Sequence, residues 1–220
     1  MTPPPHPRDP VLPEELPDGP APATLEPEAT LEAVSLGDVD LSGTHAPGVA
    51  LRTVRLHATR LAAAELDGLE LSDAELEGCD LANLRAAGHA GWLRVRARTC
   101  RMTGLAITDG VLRDVTLRDC RVDLASFAGC RLQRVTFEEC VLTQTDFLEA
   151  ELDGVRFTGC DLTEADLRGA RLRRCELRDN RLDGLRGVEA LRGAAMRWAD
   201  IVGGAGLWAT GLGIGVLDED

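Results

Sequence analysis

From Leu31 onward an apolar residue returns at every fifth position: Leu31, Leu36, Leu41, Ala46, Leu51, Leu56, Leu61, Leu66, Leu71, Leu76, Leu81 and Ala86. The phase then slips by one residue and resumes at Trp92, Ala97, Met102, Ile107 and Leu112, running on through Phe127, Phe137, Phe147 and Phe157 to Leu182. A period of five is neither the two of a strand nor the 3.6 of a helix. It demands a repeating backbone unit of its own, and an internal repeat outranks every other fold signal.

A second column lies two residues before each centre and holds small side chains, among them Ala74, Cys79, Cys100, Val115, Cys120, Ala125, Cys130, Cys140, Cys160 and Cys175. All seven cysteines and all four phenylalanines fall in these two columns. The other three positions of each unit are mostly Asp, Glu, Arg, Thr, Ser and Gly, which belong in water. With aromatics at only 3 %, the interior must be narrow and filled by small and medium side chains.

Stretches such as Ala165-Asp166-Leu167-Arg168-Gly169 and Cys160-Asp161-Leu162-Thr163-Glu164 resemble the unit of the pentapeptide-repeat family. The resemblance implies an all-β fold, a right-handed quadrilateral parallel β-helix in which four units make one square turn. Turns would stack as parallel strands about 4.8 Å apart. Position n should then lie over n+20, and outward charges there should be complementary. Asp40/Arg60, Arg60/Asp80, Glu65/Arg85, Asp114/Arg134, Arg131/Glu151 and Asp161/Arg181 are; Arg98/Arg118 and Asp119/Glu139 are not. Across the slip the offset should become 21, and there Asp73, Glu75, Glu77 and Asp80 meet Arg94, Arg96, Arg98 and Arg101. The slip at residues 87–91 therefore reads as a one-residue bulge through which the coil continues.

Three segments follow: a Pro-rich tail over 1–28, the repeat coil over 29–186, and C-terminal repeats with a capping helix over 187–220. Ten of the eleven prolines lie within residues 1–27, with Asp9, Glu14, Glu15, Asp18, Glu26 and Glu28 among them, so the tail is expected to be disordered. Leu191 and Met196 can centre two further units. Ile201, Ala205, Trp208 and Leu212 then fall at helical spacing as one apolar stripe. That stripe is read first as a cap on the core; since some pentapeptide-repeat proteins dimerise through this end, the alternative is a C-terminal homodimer contact.

No chemistry assembles in the sequence. Cys100, Cys120, Cys140 and Cys160 would stack one turn apart, but no C-x-x-C spacing exists and an interior Cys behaves as a small hydrophobe. His6, His45, His57 and His89 have no nucleophile arranged around them. The carboxylates face arginines or water, not each other. The expectation is no enzyme, no cofactor and no metal site. The net charge of −13, with 16 acids against 5 Arg in residues 1–90, argues against direct binding of nucleic acid. No segment approaches a membrane span and no secretory signal begins the chain, which points to the cytoplasm. The leading function is a rigid scaffold for a protein partner. The alternative, implied by the resemblance alone, is a DNA-mimicking modulator of type II topoisomerase (DNA gyrase), as in the quinolone-resistance members of the family. Arginines above and below the acidic turn at 65–80 (Arg55, Arg60; Arg94–Arg101) damp the duplex-like field that this alternative needs.

Overall fold

The structure is a computed structural model and describes residues 3–19, 22, 24–215 and 217. Six eight-residue strands stack in order: β1 (Thr30–Gly37), β2 (Ala50–His57), β3 (Glu70–Glu77), β4 (Gly91–Arg98), β5 (Val111–Arg118) and β6 (Arg131–Glu138). Shorter pieces continue the stack: β7 (Glu151–Asp153) with β8 (Arg156–Thr158), then β9 (Arg171–Arg173) with β10 (Glu176–Arg178). All pairings are parallel, and between β1 and β3 and from β4 to β10 each residue meets the one twenty positions on, as in Leu51↔Leu71 and Leu112↔Leu132. Each long strand forms two sides of the square. The other two sides are joined by single bridges, in columns such as Asp40↔Arg60↔Asp80 and His45↔Glu65↔Arg85.

The five-residue period has a backbone cause. From Ala33 to Gly184 every fifth residue has positive φ, so the chain turns a corner once per unit. Gly fills many of these corners, since it takes the left-handed region without steric cost, and Asp or Asn fill several others, including Asp73, Asn83, Asp109 and Asp114. The phase slip is visible here as two consecutive left-handed residues, Gly88 (φ 70) and His89 (φ 70). Pairing across it shifts to 21, with Leu71↔Trp92 and Glu77↔Arg98. The expected bulge is therefore a single inserted corner residue.

Both inward columns are buried through the body of the coil, and only members near its ends, such as Leu31, Val34 and Leu172, are partly exposed. Leu132, Phe137, Leu142 and Phe147 have no exposed surface. The phenylalanines stack within a side (Phe137–Phe157, centroids 5.0 Å apart; Phe127–Phe147, 5.4 Å) and meet edge-to-face between sides. In the second column each polar occupant returns a hydrogen bond to the turn below. The thiols of Cys120, Cys140 and Cys160 contact the carbonyls of Ala97, Leu117 and Phe137, and Thr59 and Asn180 do the same with Leu36 and Phe157. Small size plus one donor is what this position selects.

The N-terminal segment differs from the expectation. Instead of being a free tail, residues 4–19 lie along one side of the coil. Val11 N–H donates to Asp73 Oδ1 (2.8 Å) and Arg8 N–H to Asp114 Oδ1 (3.0 Å). Gly19 N–H donates to the Ser35 carbonyl, and Ser35 N–H to that of Pro17, both at 2.9 Å. Composition alone does not show that the coil offers partners for the backbone of this stretch. Leu25 is buried at the coil's first turn and closes that end.

At the other end β11 (Ala195–Met196) pairs with β10, placing Met196 beside Leu177 as the last centre. A 3-10 turn (Val188–Leu191) precedes it, and a short helical cap follows in two pieces, α1 (Trp198–Gly203) and α2 (Ala205–Gly211). The break falls at Gly204, where a Cβ would come within 2.9 Å of the Trp208 indole. That indole donates instead to the Ile201 carbonyl at 2.7 Å.

Candidate interaction surface

Because the interior is filled, anything the molecule does with another molecule happens on its outside or at its ends. The outer columns are ladders of charge. Asp73 receives both Arg94 Nε and Nη2 at 2.6 Å, and Asp114 receives Arg134 Nε and Nη2 at 2.6 and 2.7 Å. Glu75 binds Arg96 at 2.9 Å and Asp80 binds Arg101 at 3.0 Å, as the slip offset requires. Exposed pairs of this kind contribute about 0–1 kcal/mol each, so their main effect is on register. Asp114 is the exception, with a side chain only 2 % exposed. Burial pushes its carboxyl up, but Arg134 and the Arg8 N–H more than offset this, and the net shift is down. Arg94 likewise holds Asp73 below the ordinary carboxylate range. In one column the signs alternate along the axis as Asp40, Arg60, Asp80 and Arg101, so no continuous negative strip forms there.

The cysteines face inward and all seven are free thiols. Cys79 joins the column of Cys100, Cys120, Cys140 and Cys160; the slip had hidden it from a count by twenties. Contact with Cys100 and burial push the Cys120 thiol up to about 12, and contact with Cys120 does the same for Cys140. Burial pushes Cys130 up to about 11. Among the described residues no three His, Cys, Asp or Glu side chains converge as a metal site would require. His45 Nδ1 lies 2.9 Å from Glu65 Oε2 in a cross-turn pair, His57 ends β2, and His89 is exposed at the slip.

The sequence stripe at the C-terminus does not seat as one face. Trp208 is half-buried and packs on the core together with Leu207, Val188 and Leu191. Ile201, Ala205 and Leu212 point outward, Leu212 being 78 % exposed, and Trp198 and Val202 join them. The broken helix explains this: the turn at Gly204 rotates α2 relative to α1, so residues at nominal helical spacing no longer share a side. Leu207 is the plug that the spacing missed.

The sequence model of the pentapeptide repeat region matches residues 120–186. The same backbone unit and the same two inward columns extend N-terminal of that span, back to the first turns of the coil. Residues 120–186 are a pentapeptide-repeat region. No curated protein matches the chain. Among solved structures it is similar to HetL, a pentapeptide-repeat protein involved in heterocyst differentiation regulation from the cyanobacterium Nostoc, at 20 % identity over 81 % of this chain and 92 % of that one, with a TM-score of 0.28. It is also similar to full-length QnrB1, a plasmid-mediated fluoroquinolone resistance protein, at 16 % identity over 84 % and 100 % of the two chains, with a TM-score of 0.37. Neither likeness carries an argument about what this chain binds.

Proposed function

We propose that this chain is a rigid, non-catalytic rod of the cytoplasm that presents its outer columns to a protein partner. The observation that supports it most is the division of labour between inside and outside. The potential nucleophiles, seven thiols, are sealed in a filled interior, while outward acids such as Asp73, Glu75, Asp80 and Asp114 are engaged by arginines of the next turn. A surface of fixed side chains at a constant spacing recognises by shape and charge pattern, and its rigidity lowers the ordering cost of binding. Reduced, buried cysteines accord with the cytoplasm. The C-terminal segment serves first as a cap through Leu207 and Trp208; the outward Trp198, Ile201 and Leu212 are the residues that a homodimer would cover.

Co-purification from native cytosol tests the reading: a stoichiometric protein partner supports it, and a defined catalytic turnover by the purified chain ends it. The gyrase reading makes a separate forecast. If the rod acted as a duplex mimic, micromolar protein would alter supercoiling by purified gyrase, with or without quinolone. The alternating column of Asp40, Arg60, Asp80 and Arg101 leads us to expect no effect.

A further inference from the structure

Residues 4–18 are bound to the coil by a consistent rule. One outward column runs from Ser35 through Arg55, Glu75 and Arg96 to Arg156, with Glu75 held between Arg55 and Arg96; beside it the corner residues Asp73 and Asp114 are each held by an arginine of the next turn. Arg55 and Arg156 donate to carbonyls of the N-terminal segment. Arg55 Nη1 and Nη2 reach the Glu14 and Pro13 carbonyls at 2.9 Å, and Arg156 Nη1 reaches the Pro5 carbonyl at 3.2 Å while Nη2 reaches that of Pro4. Arg96 pairs with Asp9. The corner carboxylates accept the segment's amides from Arg8 and Val11. Donors on one edge and acceptors on the other read mostly main chain, with the Asp9 carboxylate and the His6 ring as the side-chain contacts.

The strip suits a proline-rich occupant in particular. It offers the guanidinium groups of Arg55 and Arg156 for carbonyls, and the carboxylates of Asp73 and Asp114 for two amides. A chain with an N–H at every residue would leave several donors facing guanidinium groups without an acceptor. Proline removes those N–H groups and leaves its carbonyl free to accept. Pro4 is buried and Pro5, Pro7 and Pro10 are half-buried, in a stretch dense enough in proline to favour polyproline II, a conformation already extended before binding.

We propose that the strip between these two columns is a docking groove for an extended, proline-rich segment, and that residues 4–18 are its resident ligand in cis. The cis segment holds the groove by proximity, since a tethered ligand acts at an effective concentration of order millimolar. Its own contacts are modest: Val11, Glu14, Glu15 and Asp18 are exposed, and Leu12 and Leu16 are only half-buried. A proline-rich segment arriving from outside therefore competes for the same arginines, and the groove is closed until it does. The groove exists whichever partner the rest of the rod meets.

The test uses the full chain in two forms, wild type and a released variant carrying Pro4→Gly, Pro5→Gly, Pro7→Gly, Pro10→Gly and Asp9→Asn. The probe is a fluorescein-labelled peptide with the sequence of residues 3–19, followed by anisotropy. The released variant is expected to bind it at least tenfold more tightly than wild type, and Arg96→Ala with Arg156→Ala in that background is expected to remove at least tenfold of the affinity. Equal affinity for wild type and released protein, or no binding to the released protein, overturns the proposal. A second measurement needs no arginine substitution: cleavage by a glutamate-specific protease after Glu14 and Glu15 should be at least several-fold slower in wild type than in the released variant. Equal cleavage rates also overturn it.

Discussion

Deleting His89 should leave this protein folded and make it slightly more stable. The reasoning is local. Ala86 and Trp92 are inward centres separated by six residues where every other pair is separated by five, and the surplus appears as two successive left-handed residues, Gly88 and His89. A non-glycine residue in that region costs about 1–2 kcal/mol. His89 is exposed, and no main-chain bond of the described turns and bridges runs through it. Gly91 N–H now reaches the Leu69 carbonyl across 22 positions, whereas the equivalent bond elsewhere, Glu70 N–H to Val49, spans 21. Removing His89 brings the odd bond into line with the rest, keeps Trp92 in its column, and preserves the Asp73–Arg94 and Asp80–Arg101 pairs. At about 2–4 °C per kcal/mol for a chain of this size, Tm should rise by about 2–8 °C. Deleting Leu124, a corner residue inside a regular turn, is the control; it throws every later centre out of phase and should abolish cooperative unfolding. Calorimetry reads both. A fall in Tm of more than about 10 °C on loss of His89 would refute the view that the slip is a surplus residue and not a structural requirement.

Further predictions concern the ladders and the core. Arg134→Ala leaves the Asp114 carboxylate buried without its guanidinium and should cost about 2 kcal/mol in urea unfolding, less than the roughly 3–5 for a fully buried pair because Arg134 is partly in water. The carboxyls of Asp73, Asp114 and Asp166 are held low in the folded state, so the stability they supply is intact at neutral pH and is lost as pH falls below about 4 through their folded values; Arg134→Ala should flatten part of that acid limb. Phe137→Ala removes a ring stacked on Phe157 and edge-on to Phe127 and Phe147, and should cost about 3–5 kcal/mol. The seven thiols should be silent to Ellman's reagent in the native protein and all react in denaturant, since all seven are buried in the filled interior out of the reagent's reach; several fast-reacting thiols in the native state would contradict the inward column.

The coil was legible because its signal is redundant. Leu112, Leu117, Val122 and Phe127 mark four sides of one turn, and the charge offsets of 20 and 21 agree with that turn length and with the slip. What stayed hidden were contacts that depend on shape. The corner column was present as a recurrence of Gly, Asp and Asn two residues after each centre, but Arg94, Leu124 and Arg134 also occupy it, and backbone geometry imposed by the stack overrides their preference. The N-terminal segment was read from its composition, which is that of a chain without a core. Composition is silent about Arg55, Arg96 and Arg156 aligned on the coil at the spacing its carbonyls need. At the C-terminus, Ile201, Ala205, Trp208 and Leu212 formed a stripe on an ideal helix; the indole of Trp208 against Gly204 breaks that helix, and only Trp208 of the four reaches the core.

Pulsed electron–electron resonance along one outer column tests the stack most directly. His45 heads a column that descends through Glu65, Arg85, Ala106, Ser126, Asp146, Asp166 and Arg186, one turn per step. With one label at His45→Cys and the other at Ser126→Cys, Asp146→Cys, Asp166→Cys or Arg186→Cys in turn, separations should climb in equal steps near the strand spacing, to about 19, 24, 29 and 34 Å. Distances that bunch together or fail to rise in order would mean that turns of twenty residues do not stack, and the account of the interior, the ladders and the groove would fall with them.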